Sequence, residues 1–152
     1  MDIRIAAYAV ITDEAGRMLL PHWRAEGIGG WTLPGGGLDP GEDPADAVVR
    51  EVFEESGYRC RVVELLGIDN LVIPGHRRLG SSGRQGVALQ NLRILYRAEV
   101  TGGSLRVEQD GSTDDVGWFT ADEIEDLHRV SLVDLGRRLA GLLPAPASAH
   151  TA

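Results

Sequence analysis

Residues 36–58 read GGLDPGEDPADAVVREVFEESGY, and this stretch decides the fold. It holds a glycine-rich bend, an isolated Glu42 and then a segment with both helix ends marked. Asp43 is a good N-cap, Pro44 suits the first helical position, and Asp46 favours the positive end of the helix dipole. Gly57 is a natural residue for the left-handed position just past a helix end. The pattern predicts a helix over 44–56. On a helical wheel Ala45, Val48, Val49, Val52 and Phe53 share one arc, which must dock on something, most simply a sheet. Ala47, Arg50, Glu51, Glu54 and Glu55 share the other.

Like charges three or four residues apart cost a helix about 0.2–0.5 kcal/mol per pair. Glu51/Glu54 and Glu51/Glu55 have that spacing. A solvated acidic face is the ordinary reading of such a run. Here the run follows a bend that offers backbone carbonyls, and Glu42 lies just before it. Several hard oxygen ligands in a small space suit Mg²⁺ or Mn²⁺, ions that neutralise phosphate oxygens and activate water. The residues alone leave both readings open.

Outward from the helix, 3–11 reads as a strand joined through a turn at 13–16 to a second strand at 18–20, as a hairpin that Pro21 ends or places at an edge. Residues 24–30 read as a loop and 31–33 as a short strand. Segments 61–68, 71–73, 87–100 and 116–119 read as strands, 110–115 as an acidic loop, and 121–127 and 132–143 as helices. The domain is expected to span 1–143, with 144–152, rich in Pro, Ala and Ser, a disordered tail.

The chain has 152 residues, 43% hydrophobic and 25% charged, which is one ordinary globular domain. Its net charge of −8 argues against duplex nucleic acid as a partner. All 15 basic residues are Arg, a bias read as that of a GC-rich bacterial genome. Cys60 is the lone cysteine, so no intrachain disulfide forms, and it reads as a buried strand residue. No apolar run approaches the roughly 20 residues of a membrane helix and no signal segment is visible. Neither a membrane nor secretion is expected; the location expected is cytoplasmic.

Gly36, Glu42, Arg50, Glu51, Val52, Glu54, Glu55 and Gly57 also fall in register with the box G-x5-E-x7-R-E-U-x-E-E-x-G-U of the Nudix hydrolases, where U is a bulky aliphatic residue. Only Tyr58 departs from it. The lead-in at 31–36 and the segment 118–124 resemble the same family, so the likeness covers most of 3–143. It implies an α/β fold, the Nudix α/β/α sandwich with a mixed sheet. It implies a metal site of Glu51, Glu54, Glu55 and a bend carbonyl at Gly35 or Gly36, loaded with Mg²⁺ or Mn²⁺. Arg50 would orient a box glutamate, and Glu42 would hold the loop against the helix. The implied reaction is water attack on a diphosphate linked to another moiety. The base is a box glutamate or a loop carboxylate, Asp114 or Asp115 ahead of Asp110 and Glu108; the catalytic set expected is Glu54, Glu51, Arg50 and Asp115.

The box names a bond, not a molecule. Arg24, Arg77, Arg78 and Arg84 are candidates to hold substrate phosphates. Pro74 resembles a proline of ADP-ribose-cleaving members, whereas the short chain resembles members that cleave nucleoside triphosphates. Both substrate classes stand. A Nudix module that senses a ligand without catalysis is the alternative, and its usual mark, an eroded box, is missing. A homodimer is implied by analogy alone.

Overall fold

The computed structural model describes residues 1–25, 27–78 and 86–144. Its elements are β1 (Asp2–Ile11), β2 (Met18–Ala25), β3 (Ile28–Trp31), β4 (Gly35–Gly37), α1 (Pro44–Ser56), β5 (Tyr58–Ile73), β6 (Leu89–Gly103), β7 (Thr113–Phe119), α2 (Ala121–Glu125) and α3 (Ser131–Leu139). Four strands form a mixed sheet in the order β4-β1-β6-β5, with β1 and β6 parallel and the other pairs antiparallel. An antiparallel sheet, β3-β2-β7, completes the fold. Among the described residues no helix is long and apolar enough to cross a membrane.

β1 is covered on both faces, which its run of small and branched apolar residues permits. Ala7, Ala9 and Ile11 pack with Ala47, Val48 and Val52 of α1. Val10 on the other face packs with Leu132 and Val133 of α3. The layers are therefore helix, sheet, helix, as the sequence implied. Burying Val48 and Val52 contributes on the order of 1.5–3 kcal/mol each. The Asp43 cap, which accepts the Ala45 amide at 2.9 Å, adds about 1 kcal/mol. Packing thus decides where α1 sits, and the caps decide where it starts and stops.

Several local expectations are corrected. Residues 3–11 and 18–20 do not form a hairpin: β1 and β2 belong to different sheets and share one isolated bridge, Thr12 to Met18. β2 pairs instead with β3 and β7. Pro21 lies inside β2, the middle strand, fully buried. β3 pairs only from His22 onward, and the Pro21 carbonyl accepts the Thr32 amide at 2.9 Å. The proline nitrogen points to that same side and carries no hydrogen, so the contact with Thr32 is one hydrogen bond and not a pair. Segments 61–68 and 71–73 are one strand, β5, carried through three register shifts. Phe53 does not dock; it is 41% exposed, with Arg59 and Arg106 over its ring, while Ala47 and Glu55 are buried. Cys60 is buried, as read. The segment 145–152 of the proposed tail lies outside the described residues.

Candidate active site

The glycine strand β4 brings the end of α1 against β1. Gly35 has φ of 145°, and a Cβ there would lie 2.2 Å from the Ala7 carbonyl oxygen, so only glycine fits. Its amide donates to both oxygens of Glu55, at 3.1 and 3.3 Å. A Cβ on Gly36 would lie 2.9 Å from the Glu51 carboxyl carbon. Bare backbone therefore lets two box glutamates approach the strand.

Arg50 is the hub of the cluster. Its Nε and Nη2 donate to Glu42 at 2.9 and 2.8 Å, its Nη1 to Glu51 at 3.1 Å and to Glu54 at 3.3 Å, and Nη2 also to the Gly37 carbonyl at 3.3 Å. Glu42 in turn accepts the Asp39 amide at 3.0 Å. Bonding to Arg50 holds the Glu42 carboxyl down at about 2. Glu51 and Glu55 go the other way. Burial pushes Glu51 up despite Arg50, with Glu54 and Glu108 adding repulsion. Burial pushes Glu55 well up; the Gly35 amide offsets part of this, and Glu51, Glu108 and Glu54 add to it.

One arginine thus faces more carboxylates than it can neutralise. Among the described residues no three His, Cys, Asp or Glu side chains already close around a common point. The donor set still fits a hard divalent cation: carboxylate oxygens, partly desolvated and mutually repelling, beside a backbone that no side chain obstructs. The residues fit the metal that the box implies.

A cavity of about 610 Å³ opens beside this cluster, its wall including Gly35, Gly36, Gly37, Glu51, Glu55 and Glu108. Glu54, with a side chain 45% exposed, is not part of the wall. Of the substrate candidates, Arg77 and Arg78 line the cavity, and Arg78 is ion-paired with Asp2. Arg24 does not line it; it pairs with Asp114 at 3.2 Å. Arg84 lies outside the described residues. Asp114 and Asp115 sit on β7, not on a loop, and neither lines the cavity. Asp114 is held by His22 at 2.7 Å, which keeps its carboxyl below the usual range, with Arg24 adding to this. Asp115 accepts its neighbour Val116's amide at 2.8 Å.

The loop carboxylate that reaches the cavity is Glu108, ranked behind Asp115 in the sequence. Arg4, Tyr8, Trp23, Asn91 and Arg93 also line it. No local pattern marks Arg4 or Asn91; the parallel register Arg4–Asn91 across β1 and β6 brings them together. Tyr58, the one departure from the box, accepts the Trp118 indole N–H at 3.0 Å, with the rings edge to face at 5.7 Å.

The family model described as NUDIX domain matches residues 2–137. A MutT-like protein of Streptomyces ambofaciens is 34% identical over 122 residues, 80% of this chain and 67% of that one. A mouse protein named 8-oxo-dGDP phosphatase NUDT18 is 31% identical over 114 residues, 73% of this chain and 30% of that one. A solved structure, a NUDIX hydrolase from Nitrosomonas europaea, superposes with a TM-score of 0.73 at 24% identity, covering 92% of this chain and 89% of that one. The chain spans two thirds of the Streptomyces protein and less than a third of the mouse one. With the box glutamates gathered at the glycine strand and the family model matched over nearly the whole fold, the chain belongs to the NUDIX family.

Proposed function

We propose that this protein is a divalent-metal-dependent hydrolase that cleaves a phosphoanhydride bond in a nucleoside diphosphate linked to another moiety, a further phosphate or a sugar. The observation that carries this reading is the uncompensated carboxylate cluster of Glu51, Glu54 and Glu55, in which Glu51 and Glu55 are pushed up by burial and line a cavity large enough for a nucleotide. Glu51, Glu54 and Glu55, with a carbonyl of the Gly35–Gly36 bend, would hold Mg²⁺ or Mn²⁺. When bound, the ion supplies positive charge where charge builds on the phosphate oxygens. Arg50 keeps Glu51 and Glu54 turned toward one another, and Glu42 fixes Arg50. Water attacks one phosphorus, the bridging P–O bond breaks, and the water proton passes to a carboxylate. Glu108 takes that role in place of Asp115, because it is the loop acid on the cavity wall.

The mouse relative's name, a phosphatase of a nucleoside diphosphate, accords with this class. The test is turnover of a nucleotide panel with and without divalent metal. Monophosphate release is expected only with metal. Glu54→Gln is expected to lose about a hundredfold or more in kcat while its melting temperature holds, since its half-exposed side chain gives up only the 3.3 Å ion pair with Arg50, a kind worth little. Full activity in that variant would sink the assignment.

A further inference from the structure

β4 is a partition. In the pairing of β4 with β1, Gly36 stands opposite Ala7, whose side chain packs toward α1, while Gly35 and Gly37 stand opposite Tyr8 and Ala6 on the other face. The Glu51 carboxylate accordingly lies against Gly36, and the Arg4 guanidinium lies against Gly37, where an added Cβ would sit 3.4 Å from Nη2. Metal carboxylates and arginine face each other across a single strand with no side chains, and both line one cavity. The row continues along β1 and β6 with Asn91 and Arg93 at the register positions beside Arg4 and Ala6. Neighbouring strands are about 4.8 Å apart, a short step for a polyphosphate.

Arg4 is also uncommitted. Arg78 pairs with Asp2, Arg93 with Asp69 and Arg50 with the box acids. Arg59 and Arg106 lie over Phe53. Among the described residues Arg4 has no carboxylate partner; its side-chain bond is a long one, 3.4 Å, to the neutral Asn91 amide. Arg77, exposed on the same cavity, makes no ion pair either among the described residues. In a chain with 23 acidic and 15 basic residues, a guanidinium left without a carboxylate beside an acidic cleft is an anion seat.

We propose that Arg4 grips a third substrate phosphate, across the glycine strand from the diphosphate that the box acids and their metal would hold. The preferred substrates are then nucleoside triphosphates or longer polyphosphates rather than diphosphates joined to a neutral sugar. This deepens the function proposed above and rests on it.

The test compares wild type, Arg4→Gln and Arg4→Lys by two readouts. The first is binding of inorganic tripolyphosphate and of pyrophosphate in Mg²⁺, followed by tryptophan fluorescence, Trp23 being in the cavity wall. Arg4→Gln is expected to weaken tripolyphosphate about ten- to hundredfold and pyrophosphate less than twofold, with Arg4→Lys recovering part of the loss. The second is turnover: kcat/KM is expected to fall by a similar factor on nucleoside triphosphates, mostly through KM, and to stay level on nucleotide sugars. Equal losses on both phosphates would make Arg4 a ligand of the cleaved diphosphate and overturn the assignment, as would no loss on either. Should no nucleotide be turned over at all, the hydrolase reading fails, while the tripolyphosphate arm still decides Arg4.

Discussion

Two clusters of arginine and carboxylate lie on opposite faces of the mixed sheet, one balanced in charge and the other with an excess of carboxylates. Beside α3, Arg129 grips Asp134 through Nε and Nη2, both at 3.0 Å, and Arg137 meets Asp134 at 3.0 Å and Glu125 at 2.9 Å. Two cations face two anions. Bonding to Arg129, helped by Arg137, holds the Asp134 carboxyl below its usual range. Beside α1 a single Arg50 serves Glu42, Glu51 and Glu54, with Glu55 buried behind them, and burial pushes Glu51 and Glu55 up. Each cluster is rich in ion pairs. The balanced one fastens helices; the unbalanced one stores repulsion that an added cation would relieve.

Removing Arg50 should give the largest effect. Arg50→Met leaves the box acids without a shared cation, at a cost of about 2–3 kcal/mol in metal-free buffer. Denaturant melts should recover much of this on adding Mg²⁺, because the ion replaces the lost charge. A variant indifferent to Mg²⁺ would erase the contrast between the clusters. Asp134→Asn comes next, about 2 kcal/mol, since it strips Arg137 of one partner and that side chain is only 3% exposed. Mg²⁺ should not restore it. The lowered carboxyl contributes stability above the ordinary value of 3.8 that is lost as pH falls through the folded value, so an acid titration of stability should flatten in the variant.

The smallest effect carries the opposite sign. Glu55→Gln should stabilise the metal-free protein near neutral pH by about 1 kcal/mol and weaken Mg²⁺ binding. Because the Glu55 carboxyl is raised above 4.5, its contribution is present below that value and lost as pH rises through the folded one. The metal-free wild type should lose stability across that rise and the variant should not. A destabilised Glu55→Gln would mean that the Gly35 amide bonds outweigh the burial penalty.

What the sequence told depended on how local the cause was. α1 was legible to its ends, because Asp43, Pro44 and Gly57 act within one turn of their positions. The rotation of α1 was not. The wheel counted Phe53 as apolar and Glu55 as polar, but Glu55 is drawn inward by an amide twenty residues away, and Phe53 finds cover under Arg59 and Arg106. The β1–β2 hairpin was misread because a turn between two strands does not say which sheet each joins. Arg4 and Glu108 carry no such local mark, because their place beside the box comes from strand register and loop path, which no short spacing encodes.

The strand of three glycines has a consequence for tolerance to mutation. Position 35 admits no side chain, since backbone of β1 stands in the way; position 36 would force a carboxylate aside; position 37 would meet a guanidinium only at ordinary contact distance. A saturation survey should therefore show intolerance that fades along three identical residues. That gradient would trace a passage for the substrate in residues that contribute backbone groups and no side chain.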